Sequence, residues 1–219
     1  SARGTGEIQQ NPTGSSIFLR SILSKVPNGD KHEVVYPADI NYMGGPPIGA
    51  REANAFMSSH QGSCPGQLYV LFGYSEGAMV VTQTLNSLKI PPKLIVAVVM
   101  YGNPYKTSNA VQNKGLGRGG VGIAAATGVK MNPKFAPVVY DLCNAGDMIC
   151  QTGGNMMAHL NYRGTPQEAE AVNFVVQKLK EALSGKGGGK VKGSDEGNDD
   201  EKGKGDGNYC YNYLHIFYD

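Results

Sequence analysis

The segment from Leu68 to Leu88 constrains this chain more than any other, because it predicts a buried strand that turns sharply into a helix. Leu68–Phe72 is apolar throughout, which is typical of a parallel strand buried on both faces. Glu76–Leu88 has helical spacing and ends before Pro91. Residues 73–77, which join the two, read Gly-Tyr-Ser-Glu-Gly. The segment therefore predicts a serine on a tight turn at the carboxyl edge of a sheet.

This pentapeptide fits the Gly-x-Ser-x-Gly pattern of a nucleophile elbow. In such a turn the serine has a strained backbone, and the flanking glycines avoid clashes. The Ser75 hydroxyl would lie at a helix N-terminus, where the dipole and free N–H groups favour developing negative charge. The flanking strand and helix favour this interpretation over a purely structural glycine–serine turn.

Apolar strands alternate with helical patterns along the rest of the chain. Leu94–Met100 and Val138–Leu142 predict two more buried strands. Helical spacing is found over Ile48–Ser59 and Thr165–Leu183, and the second helix begins with a Thr-x-x-Glu capping box. This alternation predicts an α/β domain built on a parallel sheet.

Composition changes sharply near Ser184. Residues 185–208 contain nine glycines and one apolar side chain, Val191, so they cannot bury enough surface to offset their ordering entropy. We predict a globular domain over residues 1–184 and a disordered linker over residues 185–208. The aromatic-rich residues 209–219 predict a short segment that docks on the domain.

Charge and composition exclude several classes of function. Lys and Arg total 20 against 18 Asp and Glu, and this net charge of +2 argues against binding nucleic acid or an anionic membrane through bulk charge. No apolar run approaches the ~18 residues of a membrane span. The cysteines form no paired Cys-x₂-Cys knuckles, and residues 115–120 lack the ending of a phosphate-binding loop. We predict no metal and no other cofactor.

A glycine-rich excursion spans residues 106–137, with six glycines between 115 and 128. Irregular segments of this length inside compact domains are often functional. The alternative is that residues 106–137 form a mobile surface loop without a function of its own.

A serine nucleophile needs a base, and the base needs an orienting carboxylate. In α/β-hydrolases the order along the chain is serine, acid, histidine. That order excludes His32 and His60, which precede Ser75, and His215 lies beyond the predicted linker. His159 is therefore the candidate base.

Two aspartates upstream of His159 are candidates for the orienting acid. Asp147 lies between Cys143 and Cys150, and a disulfide between these cysteines would close a small loop and rigidify the acid. Asp141 stands at the end of a predicted strand, where a cap or turn role is the alternative.

Three motifs together resemble the cutinase and acetylxylan esterase family: GYSEGA at 73–78, CNAGDMIC at 143–150 and HLNY at 159–162. The opening ARGTGE at 2–7 is similar to that family's oxyanion-hole segment. The resemblance covers residues 2 to about 183. It implies a small, lidless α/β-hydrolase with three layers, α/β/α, and a central parallel sheet.

The resemblance also implies a role for each matching residue. It implies Ser75 as nucleophile, His159 as general base and Asp147 as orienting acid. It implies an oxyanion hole formed by the N–H and hydroxyl of Thr5 and by the backbone N–H of Glu76. The reaction implied is hydrolysis of a carboxylic ester through an acyl-enzyme.

The chain departs from the family pattern in three ways. The family has Gln where Glu76 stands, which leaves the backbone N–H intact but brings a carboxylate near the site. The strand before Arg-Gly-Thr is largely missing, and the chain opens at Ser1 without an initiator Met, so we expect a processed or truncated start. The family partner of Cys64 is also absent, so Cys64 is either unpaired or bonded to Cys210.

The predicted substrate is an ester with an apolar acyl part. Met156, Met157, Leu160 and Tyr42 are the candidate substrate-binding residues, and they favour a cutin-like polyester or fatty ester. Ordinary core filling is the alternative for the methionines. Tyr42 and Tyr162 could instead stack on sugars, which would suit an acetylxylan esterase acting on a plant cell-wall polymer. A catalytically silent binding or cell-surface protein on the same fold is the alternative of another class.

The cysteine bracket around the acid predicts an oxidising compartment. With the family resemblance it predicts a secreted, extracellular protein, and we expect a monomer.

Overall fold

The computed structural model describes residues 1–186. Within these residues the strands form one parallel sheet in the order β1-β2-β4-β3. The strands are β1 (Tyr69–Tyr74), β2 (Ile95–Tyr101), β3 (Asn113–Lys114) and β4 (Val139–Leu142). Every residue of β2 is buried, as its unbroken apolar sequence predicts. The predicted parallel sheet is therefore confirmed.

Helices surround this sheet. They are α1 (Thr13–Lys25), α2 (Gly45–Ser63), α3 (Glu76–Asn86), α4 (Met148–Gln151), α5 (Met156–Leu160) and α6 (Pro166–Lys186). Short 3-10 turns cover Pro92–Leu94, Ala125–Thr127 and Pro133–Val138. The long helices pack in two pairs, α1 with α6 and α2 with α3, and both pairs contact the sheet.

The predicted capping box at the start of α6 is present in a shifted form. The Glu168 N–H donates to Thr165 Oγ1 at 3.2 Å, while the Glu168 carboxylate accepts from Gly164 rather than from the backbone of Thr165. The structure describes this helix as far as Lys186.

Helix α1 was missing from the sequence prediction. Its apolar residues Phe18, Leu19 and Ile22 face the core, and the Phe18 ring lies 4.9 Å from that of Phe72. Its first turn is capped from outside the helix, because a Glu7 carboxylate oxygen accepts from the Gly14 N–H at 2.6 Å. A cap from a distant residue leaves no local sequence signal.

The first residues of the chain lie beside β1 as a single parallel bridge between Ala2 and Gly73. The Ala2 N–H donates to the Phe72 carbonyl at 2.9 Å. Helix α3 comes so close that a Cβ at Gly77 would overlap the Ala2 carbonyl oxygen. The N-terminal segment and the start of α3 are therefore fixed against each other.

The glycine-rich excursion packs on the loop that carries Asp147. The Gly117 N–H donates to the Cys143 carbonyl at 2.9 Å, and a Cβ at Gly117 would overlap the Asn144 carbonyl oxygen. Lys106, which is 1% exposed, donates to carbonyls of Arg118 and Gly120 inside the excursion. The glycines thus allow close backbone contact with the acid loop.

Some predictions lie outside the described residues. These are the linker from residue 187 onward, the aromatic segment with His215, and the Cys64–Cys210 pairing through its second cysteine. In the part of the chain that the structure describes, no helix is long and apolar enough to cross a membrane.

We expect Leu179→Ala to lower the free energy of unfolding by about 2–5 kcal/mol, because Leu179 is buried in the core beneath α6. Leu183 on the same helix is 40% exposed, and Leu183→Ala should change it by only about 0.5 kcal/mol. Urea denaturation of the two variants measures both values. Equal losses would contradict the assignment of the buried face.

Candidate functional site

Ser75 stands on the strained turn that its sequence context predicts. It directly follows β1 and precedes α3, with φ 55° and ψ −118°. Positive φ is costly for a residue with a side chain, and such strain is typical of functional sites. The Ser75 N–H donates to the Tyr101 carbonyl at 2.8 Å, which ties the turn to the end of β2.

Three predicted residues form one continuous chain of hydrogen bonds. His159 Nε2 lies 2.9 Å from Ser75 Oγ, and His159 Nδ1 lies 2.9 Å from Asp147 Oδ2. Ser75 follows β1, Asp147 follows β4, and His159 belongs to α5. The carboxylate of Asp147 is fully buried and His159 is 4% exposed, so water does not compete for the bond between them.

Asp147 is held as a charged acceptor from several sides. Tyr162 Oη donates to Asp147 Oδ2 at 2.5 Å, and the Ile149 N–H donates to Oδ1 at 2.8 Å. Burial alone would raise the pKa of Asp147, but the bonds from His159 and Tyr162 outweigh it and hold the pKa below its ordinary value. The predicted Cys143–Cys150 disulfide closes this loop.

His159 is fixed by residues that sequence reasoning did not identify. Tyr74 Oη donates to the His159 carbonyl at 3.0 Å, and the two rings stack with centroids 5.1 Å apart. Gly102 has φ 58°, and a Cβ there would lie 2.5 Å from His159 Cε1. Tyr74 and Tyr162 both stood inside quoted motifs, at the variable position of the elbow and at the end of HLNY. Nothing in the sequence around Gly102 indicates that a glycine is required there.

The predicted oxyanion-hole residues lie together beside Ser75. Glu76 is the first residue of α3, so its N–H has no partner within the helix. Thr5 lines the same cavity as Ser75 and His159. The Thr5 hydroxyl donates to Glu76 Oε2 at 2.7 Å, and the Glu76 side chain is buried.

A cavity of about 400 Å³ opens above Ser75. Of the predicted substrate-binding residues, Tyr42, Met156 and Leu160 line it, whereas Met157 does not. Met156 is 46% exposed and Met157 is 73% exposed, so the core-filling alternative for these methionines is wrong.

Asp141 is not the acid that contacts His159. It lies inside β4, and its Oδ2 accepts from Asn103 Nδ2 at 2.8 Å. The alternative of a strand-ending cap is also wrong, since the side chain is 2% exposed and Leu142 continues the strand. Burial raises the pKa of Asp141 to about 7.

The excluded histidines have other contacts. His32 Nε2 lies 2.8 Å from Glu52 Oε1, and the His32 ring stacks on Phe56. Residues 1–186 contain no group of three or more His, Cys, Asp or Glu side chains that could hold a metal ion.

The chain is similar to known proteins over most of its length. The family description Cutinase matches residues 1–179. Carboxylesterase Culp1 of Mycobacterium tuberculosis is 29% identical over 186 residues, which cover 83% of this chain and 80% of that protein.

Two solved structures share the fold. A cutinase-like protein from Cryptococcus sp. superposes with a TM-score of 0.75 at 26% identity, covering 81% of this chain and 92% of that one. The catalytic core domain of acetyl xylan esterase from Trichoderma reesei gives 0.69 at 22% identity, covering 82% and 96%. The second likeness supports the fold alone.

We expect Asp141→Asn to flatten the pH dependence of stability. The folded pKa of Asp141 is about 7, above the ~3.9 of an unfolded aspartate. Between those two pH values the folded state keeps the Asp141 proton and the unfolded state has lost it. The free energy of unfolding therefore falls by up to ~1.4 kcal/mol for each pH unit that the pH rises.

Urea denaturation at about pH 5 and about pH 6 tests this expectation, because both values lie between the two pKa values. The matched control is Asp147→Asn, whose carboxylate is held charged and whose loss should destabilise at both pH values. An Asp141→Asn protein with the wild-type slope would contradict the assignment.

Proposed function

Since the chain belongs to the cutinase family, we propose that it hydrolyses carboxylic esters through an acyl-enzyme on Ser75. The observation that carries this proposal is the bonded series Ser75, His159 and Asp147 at the floor of an open cavity. These are the parts that acyl transfer needs: a nucleophile, a base and an acid that orients the base. The intact series favours an active enzyme over a silent binding protein.

Acylation begins with attack of Ser75 Oγ on the ester carbonyl carbon. His159 Nε2 accepts the serine proton during attack and then gives it to the departing alcohol. Asp147 keeps the Nδ1 proton directed toward itself, so that Nε2 faces Ser75 as the acceptor. Water then attacks the acyl-enzyme with His159 again as base, which releases the acid and restores Ser75.

The tetrahedral intermediate carries a negative oxygen that requires donors. In the proposal the Glu76 N–H at the start of α3 and the N–H and hydroxyl of Thr5 supply them. The helix dipole of α3 adds a favourable field at the same point.

Apolar side chains around the cavity support a substrate with a medium or longer acyl chain. Leu160 is 60% exposed and Tyr42 is 46% exposed, although both are large. Met43, next to Tyr42, is 81% exposed. Such side chains favour a fatty ester or a cutin-like polyester, which cover apolar surface on binding.

An acetylxylan esterase is the second candidate, supported by Tyr42 at the cavity and by the fold shared with such an enzyme. Tyr162 supports it less, because it is 2% exposed and its hydroxyl is bonded to Asp147. The Cys143–Cys150 disulfide supports our further proposal that residues 1–184 form a secreted domain, because disulfides persist in oxidising compartments. We also propose that the protein is a monomer.

We expect Ser75→Ala to reduce hydrolysis of p-nitrophenyl butyrate by about 10⁴-fold or more, because the nucleophile is removed. The control is Ser24→Ala, an exposed serine on α1, which should retain full activity. A fluorophosphonate probe should label the wild-type and Ser24→Ala proteins but not Ser75→Ala. Turnover by Ser75→Ala at the wild-type rate would disprove the mechanism.

The choice of substrate is tested by acyl-chain length. We expect kcat/KM to be higher for butyrate and octanoate esters than for acetate esters or acetylated xylan. Leu160→Ser should lower the octanoate value roughly 10-fold while changing the acetate value little, because it removes an apolar contact. Leu183→Ser is the matched control on α6. Preference for acetylated xylan would favour the second candidate.

A further inference from the structure

The carboxyl group of Glu76 contacts one of the proposed oxyanion donors. Thr5 Oγ1 lies 2.7 Å from Glu76 Oε2, and Glu76 is 1% exposed. A hydroxyl has a single proton to donate. When that proton goes to the Glu76 carboxylate, Thr5 cannot also direct it to the oxygen of a tetrahedral intermediate.

The surroundings of Glu76 do not neutralise a negative charge. Its Oε1 is buried without a hydrogen-bond partner among residues 1–186. Arg3 is the cation that acts on Glu76, but its guanidinium donates to the Tyr36 carbonyl at 2.6 Å and to the Glu7 carbonyl at 2.9 Å. No ion pair therefore joins Arg3 to Glu76 in this part of the chain.

The Glu76 carboxyl is buried, and four neighbouring groups surround it: Thr5, Asp39, Arg3 and Tyr36. Burial raises the pKa of Glu76 above its ordinary value, and the Thr5 bond partly offsets this. The carboxylate of Asp39 raises the pKa further, whereas Arg3 lowers it. Tyr36 also faces this carboxyl, and its hydroxyl donates to the Arg3 carbonyl. A buried carboxyl in such a place is easily protonated.

We propose that Glu76 is a positioning residue that acts in its protonated form and sets the direction in which the Thr5 hydroxyl donates. In that form the Glu76 O–H donates to Thr5 Oγ1, and the Thr5 proton turns toward the substrate oxygen. In the ionised form the carboxylate accepts the Thr5 proton and withdraws one donor from the intermediate. This inference rests on the proposed esterase function.

The proposal makes activity depend on the protonation state of Glu76. Glu76 is protonated below its pKa, so its contribution is present at low pH and is lost as pH rises through that pKa. The wild-type value of kcat/KM should therefore decline as pH rises through the pKa of Glu76.

The experiment compares Glu76→Gln with the wild-type full chain from about pH 5 to about pH 9 on p-nitrophenyl butyrate. A glutamine amide donates to Thr5 Oγ1 at every pH. We expect this decline to disappear and kcat/KM near pH 9 to exceed the wild-type value by about 10-fold or more, since losing one oxyanion donor costs ~10²–10³. At the low-pH end of the range, where Glu76 is protonated, the two proteins should converge.

Thr5→Val provides a second test that does not depend on the folding of Glu76→Gln. Valine keeps the shape of threonine but has no hydroxyl, so it removes the group through which Glu76 acts. We expect a large loss of kcat/KM at low pH and a small loss at high pH, where the wild-type hydroxyl is already withdrawn. In the Thr5→Val background, Glu76→Gln should have no effect on the profile.

The outcomes separate this inference from the function on which it rests. Parallel pH profiles for the wild-type and Glu76→Gln proteins, or a loss in Thr5→Val that is equal at all pH values, would overturn the role of Glu76 and leave the esterase function standing. A wild-type protein with no ester turnover and no fluorophosphonate labelling would overturn the function, and this inference with it.

Discussion

The site depends on one close contact, the approach of the first turn of α3 to the carbonyl oxygen of Ala2. Only a residue without a Cβ fits there, and Gly77 occupies the position. The contact fixes the N-terminal segment next to the strained turn at Ser75. Thr5 and the free N–H of Glu76 are thereby brought to the same side of the nucleophile. The proposed nucleophile and the proposed oxyanion donors thus share one rigid base, which would preorganise the site before substrate arrives.

Asp147, the proposed orienting acid, is positioned by a second and independent set of contacts. Asp147 caps α4, and the disulfide between Cys143 and Cys150 closes its loop. The glycine-rich excursion lies against the outside of this loop, and Lys106 holds the excursion through backbone carbonyls. The glycine-rich excursion, for which the sequence left a functional segment and a mobile loop as alternatives, packs against the loop of Asp147 and supports it. Its glycines allow the two backbones to approach closely.

The sequence predicts those parts of the molecule that are determined by residues adjacent in the chain. The strands were readable because apolar residues are contiguous in them, and the elbow because its glycines and its serine are adjacent. The roles of Tyr162 and Gly102 come from contacts with Asp147 and His159, which only the fold brings near. The start of helix α1 has no local signal, because Glu7 caps it from another segment. Non-local contacts of this kind leave no periodic signal.

Helix α5, which carries His159, has only five residues. A helix of this length does not persist by itself in water. It is held from outside, by the Tyr74 hydroxyl on the His159 carbonyl and by the Asn144 side chain on the carbonyls of Ala158 and Asn161. Such a unit opens with a smaller free energy than the sheet. We therefore expect heat to separate His159 from Ser75 while the core is still folded, so that the site would be lost before the domain melts.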